Sequence, residues 1–198
     1  MEQIYIVLII VVAYLIGSIS PSIIMGRAKG IDIKSEGSGN AGTTNALRVL
    51  GKKAAIITLL CDMLKGLIPT LMGLYFFDEV GAMICGVAAL LGHIFPCFYG
   101  FKGGKGAATA VGTLLALDYR LALLSLLVAA IFLFISKRMS VGTICAAIAF
   151  PILTAFMHEE LLPAAIVIAV IVILKHKSNI QRLIKGQEPV MSIFDKEK

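Results

Sequence analysis

Charged side chains are scarce in this sequence: they make up 15% of its residues, while 59% are hydrophobic. The mean hydropathy of +0.94 is too apolar for a soluble globular domain of this size and excludes that class. We therefore predict an all-α polytopic membrane protein, with residues 1–198 forming one domain. In such a protein a net charge of +6 is first a sign of membrane topology, and nucleic-acid binding is not expected.

Cysteine pairs at the C-x-x-C spacing are also absent. The four cysteines lie in or beside apolar runs, as small buried hydrophobic residues do: Cys61, Cys85, Cys97 and Cys145. We expect no disulfide framework, no metal site and no cofactor. The N-terminus carries Glu2 but no lysine or arginine ahead of its first apolar run, so a cleaved signal peptide is not expected.

Apolar segments dominate the rest of the chain, and we count seven of them as membrane helices: 4–25, 54–77, 80–98, 107–117, 121–136, 141–157 and 161–174. Pro21, flanked by serines, predicts a kink in the second half of the first segment because proline removes one backbone donor. The fourth segment reaches only about 20 Å, so we expect a short, tilted or partly buried helix.

Basic residues are distributed unevenly over the connections between these segments. With seven crossings, all 18 lysines and arginines except Lys65 and Arg120 fall on one side. An excess of positive charge marks the cytoplasmic side. The connection between the second and third segments, which falls on the other side, is acidic and contains Asp78 and Glu79. This asymmetry predicts a periplasmic N-terminus, a cytoplasmic C-terminus and four polar stretches that converge on the cytoplasmic face.

The stretch 92–109, GHIFPCFYGFKGGKGAAT, is the one around which the other polar stretches are organised. Glycines let backbone N–H groups approach an anion closely and lysines supply the counter-charge, which suits phosphate. The stretch is not a Walker A motif, because no glycine lies five residues before Gly104 and neither Ser nor Thr follows Lys105. The alternative is a positively charged turn between membrane helices. Its candidate binding residues are His93, Lys102, Gly103, Gly104, Lys105, Gly106 and Thr109.

The stretch 37–45, GSGNAGTTN, offers open glycine backbone and neutral hydrogen-bond donors. It matches G-x-G-x-x-G only formally, since a membrane helix and no βαβ unit surrounds it. Arg48 lies one helical turn after Asn45, and arginine can hold phosphate through two parallel bonds. The alternative is a loop with a helix N-cap and a cytoplasmic arginine. Candidate binding residues are Ser38, Gly39, Asn40, Thr44, Asn45 and Arg48.

Two further polar stretches lie in the last third of the chain. Ser140 and Thr143 open the sixth segment, where a helix N-terminus favours an anion, although simple N-capping by Ser140 explains most of the pattern. His176, Asn179 and Arg182 are spaced so that a helix would place them roughly on one face, ahead of Glu188. The alternative is an amphipathic C-terminal tail with snorkelling basic side chains, and this stretch taken by itself favours that interpretation.

Asp62 and Lys65 are charged residues inside the second apolar segment. A charge within a membrane span costs about 2.5–3.5 kcal/mol on insertion scales, so we expect these two side chains to face the bundle and pair. The favoured interpretation is a structural ion pair; a role in holding the functional site is the alternative.

Together, GSGNAGTTNALR, GHIFPCFYGFKGGKGAAT and KHKSNIQRLIKGQE resemble the three signature stretches of the bacterial acyl-phosphate:glycerol-3-phosphate acyltransferases, the PlsY family. The resemblance extends over the whole chain. It implies a multi-pass enzyme of the bacterial inner membrane with its active site facing the cytoplasm. Such an enzyme moves a fatty acyl group from acyl phosphate to the sn-1 hydroxyl of glycerol 3-phosphate, which begins phospholipid synthesis and implies a functional link to the enzyme that makes acyl phosphate.

The resemblance also implies roles for individual residues. The residues that would hold glycerol 3-phosphate or the transferring centre are Ser38, Arg48, Lys105, His176 and Asn179. The acyl-phosphate end would be steadied by Lys102, by the backbone of residues 103–106 and by Thr143. His93 could be a base, an orienting group or a hydrogen bonder that stabilises the motif, and we favour the last role because it precedes Pro96 at a helix end.

Common acyl-transfer machinery is missing from the sequence. None of the three histidines is followed by aspartate at the H-x4-D spacing, and no Ser-His-Asp or Cys-His set is evident. Since acyl phosphate is already activated, positioning and charge stabilisation could supply most of the catalysis, with a phosphate oxygen accepting the proton. The alternative class is a small transporter or anion channel with a basic vestibule, although no inverted repeat is visible.

Overall fold

A computed structural model describes residues 2–191 and 194 of the chain. These residues form α-helices joined by loops and two single 3₁₀ turns, with no strand among them, so the predicted all-α architecture is confirmed. The chain divides into two compact units, Met1–Asp118 (unit 1) and Tyr119–Lys198 (unit 2). The single domain stays a prediction, and Lys196 and Lys198, placed above on the cytoplasmic side, lie outside the described residues.

Unit 1 contains five helices: α1 (Glu2–Gly17), α2 (Pro21–Ala28), α3 (Thr43–Leu50), α4 (Lys52–Ile94) and α5 (Ala107–Leu117). Unit 2 contains four: α6 (Tyr119–Ser136), α7 (Met139–Met157), α8 (Leu162–Lys175) and α9 (Lys177–Ile184). The 3₁₀ turns are Cys97–Tyr99 in unit 1 and Glu159–Leu161 in unit 2.

The predicted kink in the first apolar segment is a break between α1 and α2, which are bent by 43°. Pro21 opens α2, where its missing N–H would have had no intrahelical partner. The break leaves backbone carbonyls without helical partners, and the Lys65 ammonium donates to one of them, that of Ile19, at 2.7 Å. A charged side chain of α4 therefore stabilises the interruption.

Helix α4 folds back on itself at Asp78, whose backbone is non-helical with φ 82°. The Asp78 carboxylate accepts hydrogen bonds from the N–H groups of Val80 (2.8 Å) and Gly81 (3.3 Å), and so caps the second arm. Near the turn the two arms approach so closely that a β-carbon at Gly73 would overlap the carbonyl of Gly81. The arms correspond to the second and third predicted segments.

Helix α5 has 11 residues and is the short fourth segment. It packs against both arms of α4 through glycines, because side chains at Gly66 and Gly112 would overlap backbone carbonyls of the opposing helix. Thr113 fills the space left by the missing side chain of Gly86 on the second arm. This close packing holds the N-terminus of α5 at the end of the loop that carries the KGGKG sequence.

Unit 2 is built from the antiparallel neighbours α6 and α7 and from the bent pair α8 and α9, which meet at 55°. Gly142 of α7 lies against the Ala129 carbonyl of α6, so a side chain there would overlap it. After α9 the tail turns back, and the Met191 N–H donates to the Lys137 carbonyl at 2.9 Å. The tail is therefore fastened to the loop between α6 and α7.

Three helices among the described residues are long and apolar enough to cross a membrane, or up to five if each bent pair is one span. One of the three contains the whole of α4, whose 43 residues would extend about 65 Å if straight, roughly twice a bilayer core. The reversal at Asp78 explains this excess length. The count of seven crossings and the orientation of the termini stay predictions.

Candidate active site

The loop between α2 and α3 is held by Asn45, a fully buried side chain. Its Nδ2 donates to the carbonyls of Ile33 and Glu36, both at 3.0 Å, and its Oδ1 accepts the Ser38 N–H at 2.8 Å. Gly37 has φ +59° and no room for a side chain beside the Asn45 amide. The Asn45 amide therefore positions the loop, and its predicted contact with substrate stays a prediction.

Ser38 and Arg48 are both exposed, and neither side chain has a partner among the described residues. Gly39 is exposed with φ +69°, and Asn40 and Thr44 are half-buried. Asn45 fixes the backbone of this loop, so the loop can present a hydroxyl without rearranging. Ser38 and Arg48 are thus available to bind a ligand, as their assignment requires.

The KGGKG loop folds back over the end of α4. The Gly103 N–H donates to the Ile94 carbonyl and the Gly104 N–H to the His93 carbonyl, each at 3.1 Å. A β-carbon at Gly103 would overlap the His93 carbonyl, and one at Gly104 would overlap the His93 imidazole. Both N–H groups are therefore used within the protein, and their predicted role in holding an anion stays a prediction. Residues 103 and 104 are glycines because the loop packs closely on α4.

The N-terminus of α5 is the part of this loop that remains suited to an anion. Gly106 adopts φ +88° and precedes the helix, whose first N–H groups have no intrahelical partner. Lys105 is half-buried beside it and Lys102 is exposed. Thr109, by contrast, is fully buried against α4, and its predicted contact with a substrate stays a prediction.

His93 lies beneath the loop in a buried cluster with two residues of the first arm of α4. Its Nδ1 is 3.5 Å from Asp62 Oδ1, which also lies 2.7 Å from the Lys65 ammonium as an ion pair. The exposed fractions of His93, Asp62 and Lys65 are 5%, 2% and 5%. The predicted pairing of Asp62 with Lys65 is confirmed, and burial under Gly104 supports a structural role for His93.

Arg27 and Lys34, for which the sequence predicts only a side of the membrane, form a basic surface in the structure. Arg27 lies over the Tyr99 ring at 5.3 Å, and Lys34 donates to the Tyr99 carbonyl at 2.8 Å. Burial lowers the pKa of Lys34; the charges of Arg27 and Lys102 lower it further, and Asp32 opposes them. A cleft of about 480 Å³ adjoins this surface, lined by Ile23, Arg27, Gly30, Ile31, Asp32 and Lys34. The basic surface is identified by its contacts with Tyr99, which lies 65 positions after Lys34 in the sequence. Only the folded structure shows these contacts.

In unit 2 the polar residues meet at the buried carboxylate of Glu188. Its Oε1 accepts from Ser140 Oγ at 2.7 Å and from Asn179 Nδ2 at 2.6 Å, and its Oε2 accepts from Arg182 Nε at 2.7 Å. Burial alone would raise the pKa of Glu188, but these three hydrogen bonds and the Arg182 charge lower it below its usual value. Glu188 therefore remains ionised and joins the tail to α7 and α9.

The structure brings together four of the candidates in this unit, Ser140, Asn179, Arg182 and Glu188, as one internal network. Arg138 also joins it, donating to the Glu188 carbonyl at 2.9 Å. His176 lies at the α8–α9 bend, with Nδ1 2.8 Å from the Val172 carbonyl. Since a carbonyl only accepts, Nδ1 carries the hydrogen. The Thr143 hydroxyl donates to the Met139 carbonyl at 3.0 Å.

In the part of the chain that the structure describes, no group of three or more His, Cys, Asp or Glu side chains is placed to hold a metal ion. The four cysteines there are free thiols. The polar side chains of the loop that bears Ser38 and of the KGGKG loop are mainly hydroxyls, amides and cations, which suit the binding of phosphate groups.

Comparison with known proteins identifies the family. The family model described as glycerol-3-phosphate acyltransferase matches residues 7–186. The chain belongs to this family. It is 42% identical over 187 residues to a glycerol-3-phosphate acyltransferase of Shewanella sp. (strain W3-18-1), covering 93% of this chain and 92% of that protein. It is 41% identical to one of Thermoanaerobacter sp. (strain X514), covering 93% and 94%.

Among solved structures the chain is similar to PlsY, an integral membrane glycerol 3-phosphate acyltransferase, in its glycerol 3-phosphate form. The identity is 36% and the TM-score 0.92, over 96% of this chain and 98% of that one. A second PlsY structure, the lysophosphatidic acid form, gives 39% identity and a TM-score of 0.86 over 94% and 95%. The acyltransferase is thus an integral membrane protein, and the transporter alternative has no support.

Proposed function

We propose that this acyltransferase moves a fatty acyl group from acyl phosphate to the sn-1 hydroxyl of glycerol 3-phosphate, giving lysophosphatidic acid and inorganic phosphate. Family membership supports the reaction class, and the similar PlsY structures are described as glycerol 3-phosphate and lysophosphatidic acid forms. The observation that carries the proposal is the packing of the KGGKG loop against the loop that bears Ser38, where Gly104 lies against the Ala41 carbonyl. This packing supports a site within unit 1 that contains cations and a hydroxyl.

Acyl phosphate is the donor that best suits these residues. It is a mixed anhydride with a good leaving group, so the site needs to bind two phosphate groups and align the reactants rather than supply a strong nucleophile. The glycerol hydroxyl oxygen attacks the acyl carbon, the bond from that carbon to the phosphate oxygen breaks, and phosphate leaves. A phosphate oxygen of a substrate takes the hydroxyl proton, since phosphate has a pKa near 6.

In unit 1 we assign Arg48 and Ser38 to the phosphate of glycerol 3-phosphate. Lys105 and the N-terminus of α5 stabilise charge at the transferring centre, and Lys102 steadies the acyl-phosphate end. In unit 2, Glu188 orders Ser140, Asn179 and Arg182, and the substrate contacts assigned above to His176, Asn179 and Thr143 stay predictions. The basic composition of these groups supports the assignment, since each substrate carries a phosphate.

The donor is tested with purified protein in detergent or reconstituted bilayers, incubated with glycerol 3-phosphate and either palmitoyl phosphate or palmitoyl-CoA. We expect lysophosphatidic acid and inorganic phosphate in equal amounts from palmitoyl phosphate, and no product from the thioester. Mass spectrometry identifies the lipid and a colorimetric assay measures the phosphate. Equal rates with the two donors, or activity with the thioester alone, would contradict the assigned donor.

We further propose that the protein lies in the bacterial inner membrane with the KGGKG loop facing the cytoplasm, near the enzyme that supplies acyl phosphate. The basic connections support this orientation. Cysteines replacing the exposed Lys53 and Glu79, at opposite ends of the first arm of α4, test it in a cysteine-free background. An impermeant maleimide should label only the Glu79→Cys protein in intact cells; labelling only of Lys53→Cys would reverse the topology.

A further inference from the structure

Asp62, Lys65 and His93 form a buried charged cluster in unit 1 to which the proposed reaction assigns no part. Lys65 has two partners, the Asp62 carboxylate and the Ile19 carbonyl, each at 2.7 Å. Asp62 faces both side chains, because the oxygen paired with Lys65 also lies 3.5 Å from Nδ1 of His93. These two atoms, Asp62 Oδ1 and His93 Nδ1, are buried, and neither makes a hydrogen bond among the described residues, so their 3.5 Å approach is an electrostatic contact. The carboxylate therefore joins the first arm of α4 to a residue at the end of its second arm.

His93 contacts the KGGKG loop through both its backbone and its ring. Its carbonyl accepts the Gly104 N–H at 3.1 Å, and its Nε2 edge lies so close to Gly104 that a β-carbon there would overlap it. The same β-carbon would lie 3.2 Å from the Ala41 carbonyl, so Gly104 is enclosed between His93 and the loop that bears Ser38. The orientation of the imidazole thus determines how closely the two loops approach.

An ion pair alone would not require this arrangement. Buried ion pairs contribute little net stability, and Lys65 and Asp62 could satisfy each other without a third partner. The carboxylate instead faces the ring nitrogen opposite the one that contacts Gly104. A carboxylate beside one imidazole nitrogen favours a hydrogen on that nitrogen and restricts rotation of the ring.

We propose that Asp62 is a positioning residue, which acts through His93 to set the KGGKG loop against the loop that bears Ser38. It touches no substrate. Its effect on the reaction is to keep Lys105, the residue after Gly104, in place relative to Ser38. The inference rests on the acyl transfer proposed above.

Two matched double variants separate this role from that of a structural ion pair. Asp62→Asn with Lys65→Met removes both buried charges but leaves an amide oxygen that can accept from His93 Nδ1. Asp62→Leu with Lys65→Met removes the same charges and also the acceptor. Both variants lose the Lys65 bond to the Ile19 carbonyl, so that loss cancels in the comparison. Asp62→Ala with Lys65→Met repeats the second variant without overfilling the space.

We expect the asparagine variant to keep most of the wild-type kcat/KM for glycerol 3-phosphate. The leucine and alanine variants should lose about tenfold or more, since misplacement of reacting groups by about 1 Å can cost 100-fold. Melting temperatures of the detergent-solubilised proteins should be similar, so that the change in rate reflects geometry. The expected pattern is that kcat/KM is high in the asparagine variant, which keeps an acceptor oxygen, and low in the leucine and alanine variants, which lack one.

Equal kcat/KM in the asparagine and apolar variants, whether high or low, would overturn the positioning role and leave Asp62 as an ion-pair partner only. Failure of both apolar variants to insert, with a stable asparagine variant, would overturn it too, because the acceptor would then be needed for folding. A wild-type protein without acyl-phosphate-dependent activity would instead refute the proposed function. The two failures are therefore distinguishable.

Discussion

Arg48→Ala and Lys105→Ala are each expected to lower the rate of acyl transfer about tenfold or more at sub-saturating glycerol 3-phosphate. A charge-assisted hydrogen bond to a phosphate contributes about 1.5–3 kcal/mol, and about 1.4 kcal/mol corresponds to a factor of ten. Arg48 is exposed with no protein partner among the described residues, so its removal leaves no buried group unpaired. The loss should therefore appear in activity and not in folding.

Lys53→Ala is the matched control for these two variants, because it removes an exposed basic residue at the start of α4, outside the loop that bears Ser38 and the KGGKG loop. It should retain the wild-type rate. Arg48→Lys should recover only part of the activity, since lysine keeps the charge but cannot form two parallel bonds to phosphate. Full turnover of Arg48→Ala at low glycerol 3-phosphate would remove Arg48 from the phosphate site.

Gly103→Ala is expected to abolish most of the activity, by about 100-fold, because the added methyl group would overlap the His93 carbonyl and lie 2.6 Å from Pro96 Cδ. The His93 carbonyl is part of the backbone and Pro96 Cδ is part of a ring closed on the backbone, so neither atom can move away by rotation of a side chain. The loop must therefore move, which breaks the bond from the Gly103 N–H to the Ile94 carbonyl and displaces Lys105.

Gly100→Ala is the control for the glycine substitution. Gly100 has open space around it but adopts φ +67°, so alanine there costs about 1–2 kcal/mol of backbone strain without a clash. Its kcat/KM should stay within a few-fold of wild type, with a small loss of thermal stability. The rates and melting temperatures of both variants should be compared; a fully active Gly103→Ala protein would show that the loop does not need this packing.

The helices could be predicted well because their signals are local. Pro21 and its serines mark the break between α1 and α2, and Asp78 interrupts a long apolar run where α4 reverses. The shortness of α5 also follows directly from the length of its apolar segment. Hydrophobic runs, proline and acidic turns operate over a few residues, so the sequence is enough to locate them.

The partners of the polar groups could not be predicted in the same way. Asn45 and the backbone of Gly103 and Gly104 have the composition of a phosphate site, yet each donates within the protein. Glu188 accepts from Ser140, which lies 48 positions away. A donor's type is visible in the sequence, but its partner depends on which segments pack together, and only the folded structure reveals that.

The central claim is that the acyl group passes from acyl phosphate to glycerol 3-phosphate without an acyl-enzyme. Its most direct test is a measurement of initial rates in which the concentrations of both substrates are varied. One displacement within a ternary complex predicts intersecting double-reciprocal lines and an unchanged intact mass for protein incubated with acyl phosphate alone. Ser38→Ala should then weaken binding or rate without loss of an intermediate. Parallel lines, or a protein mass increased by one acyl group, would contradict direct transfer and make Ser38 or a cysteine the candidate nucleophile.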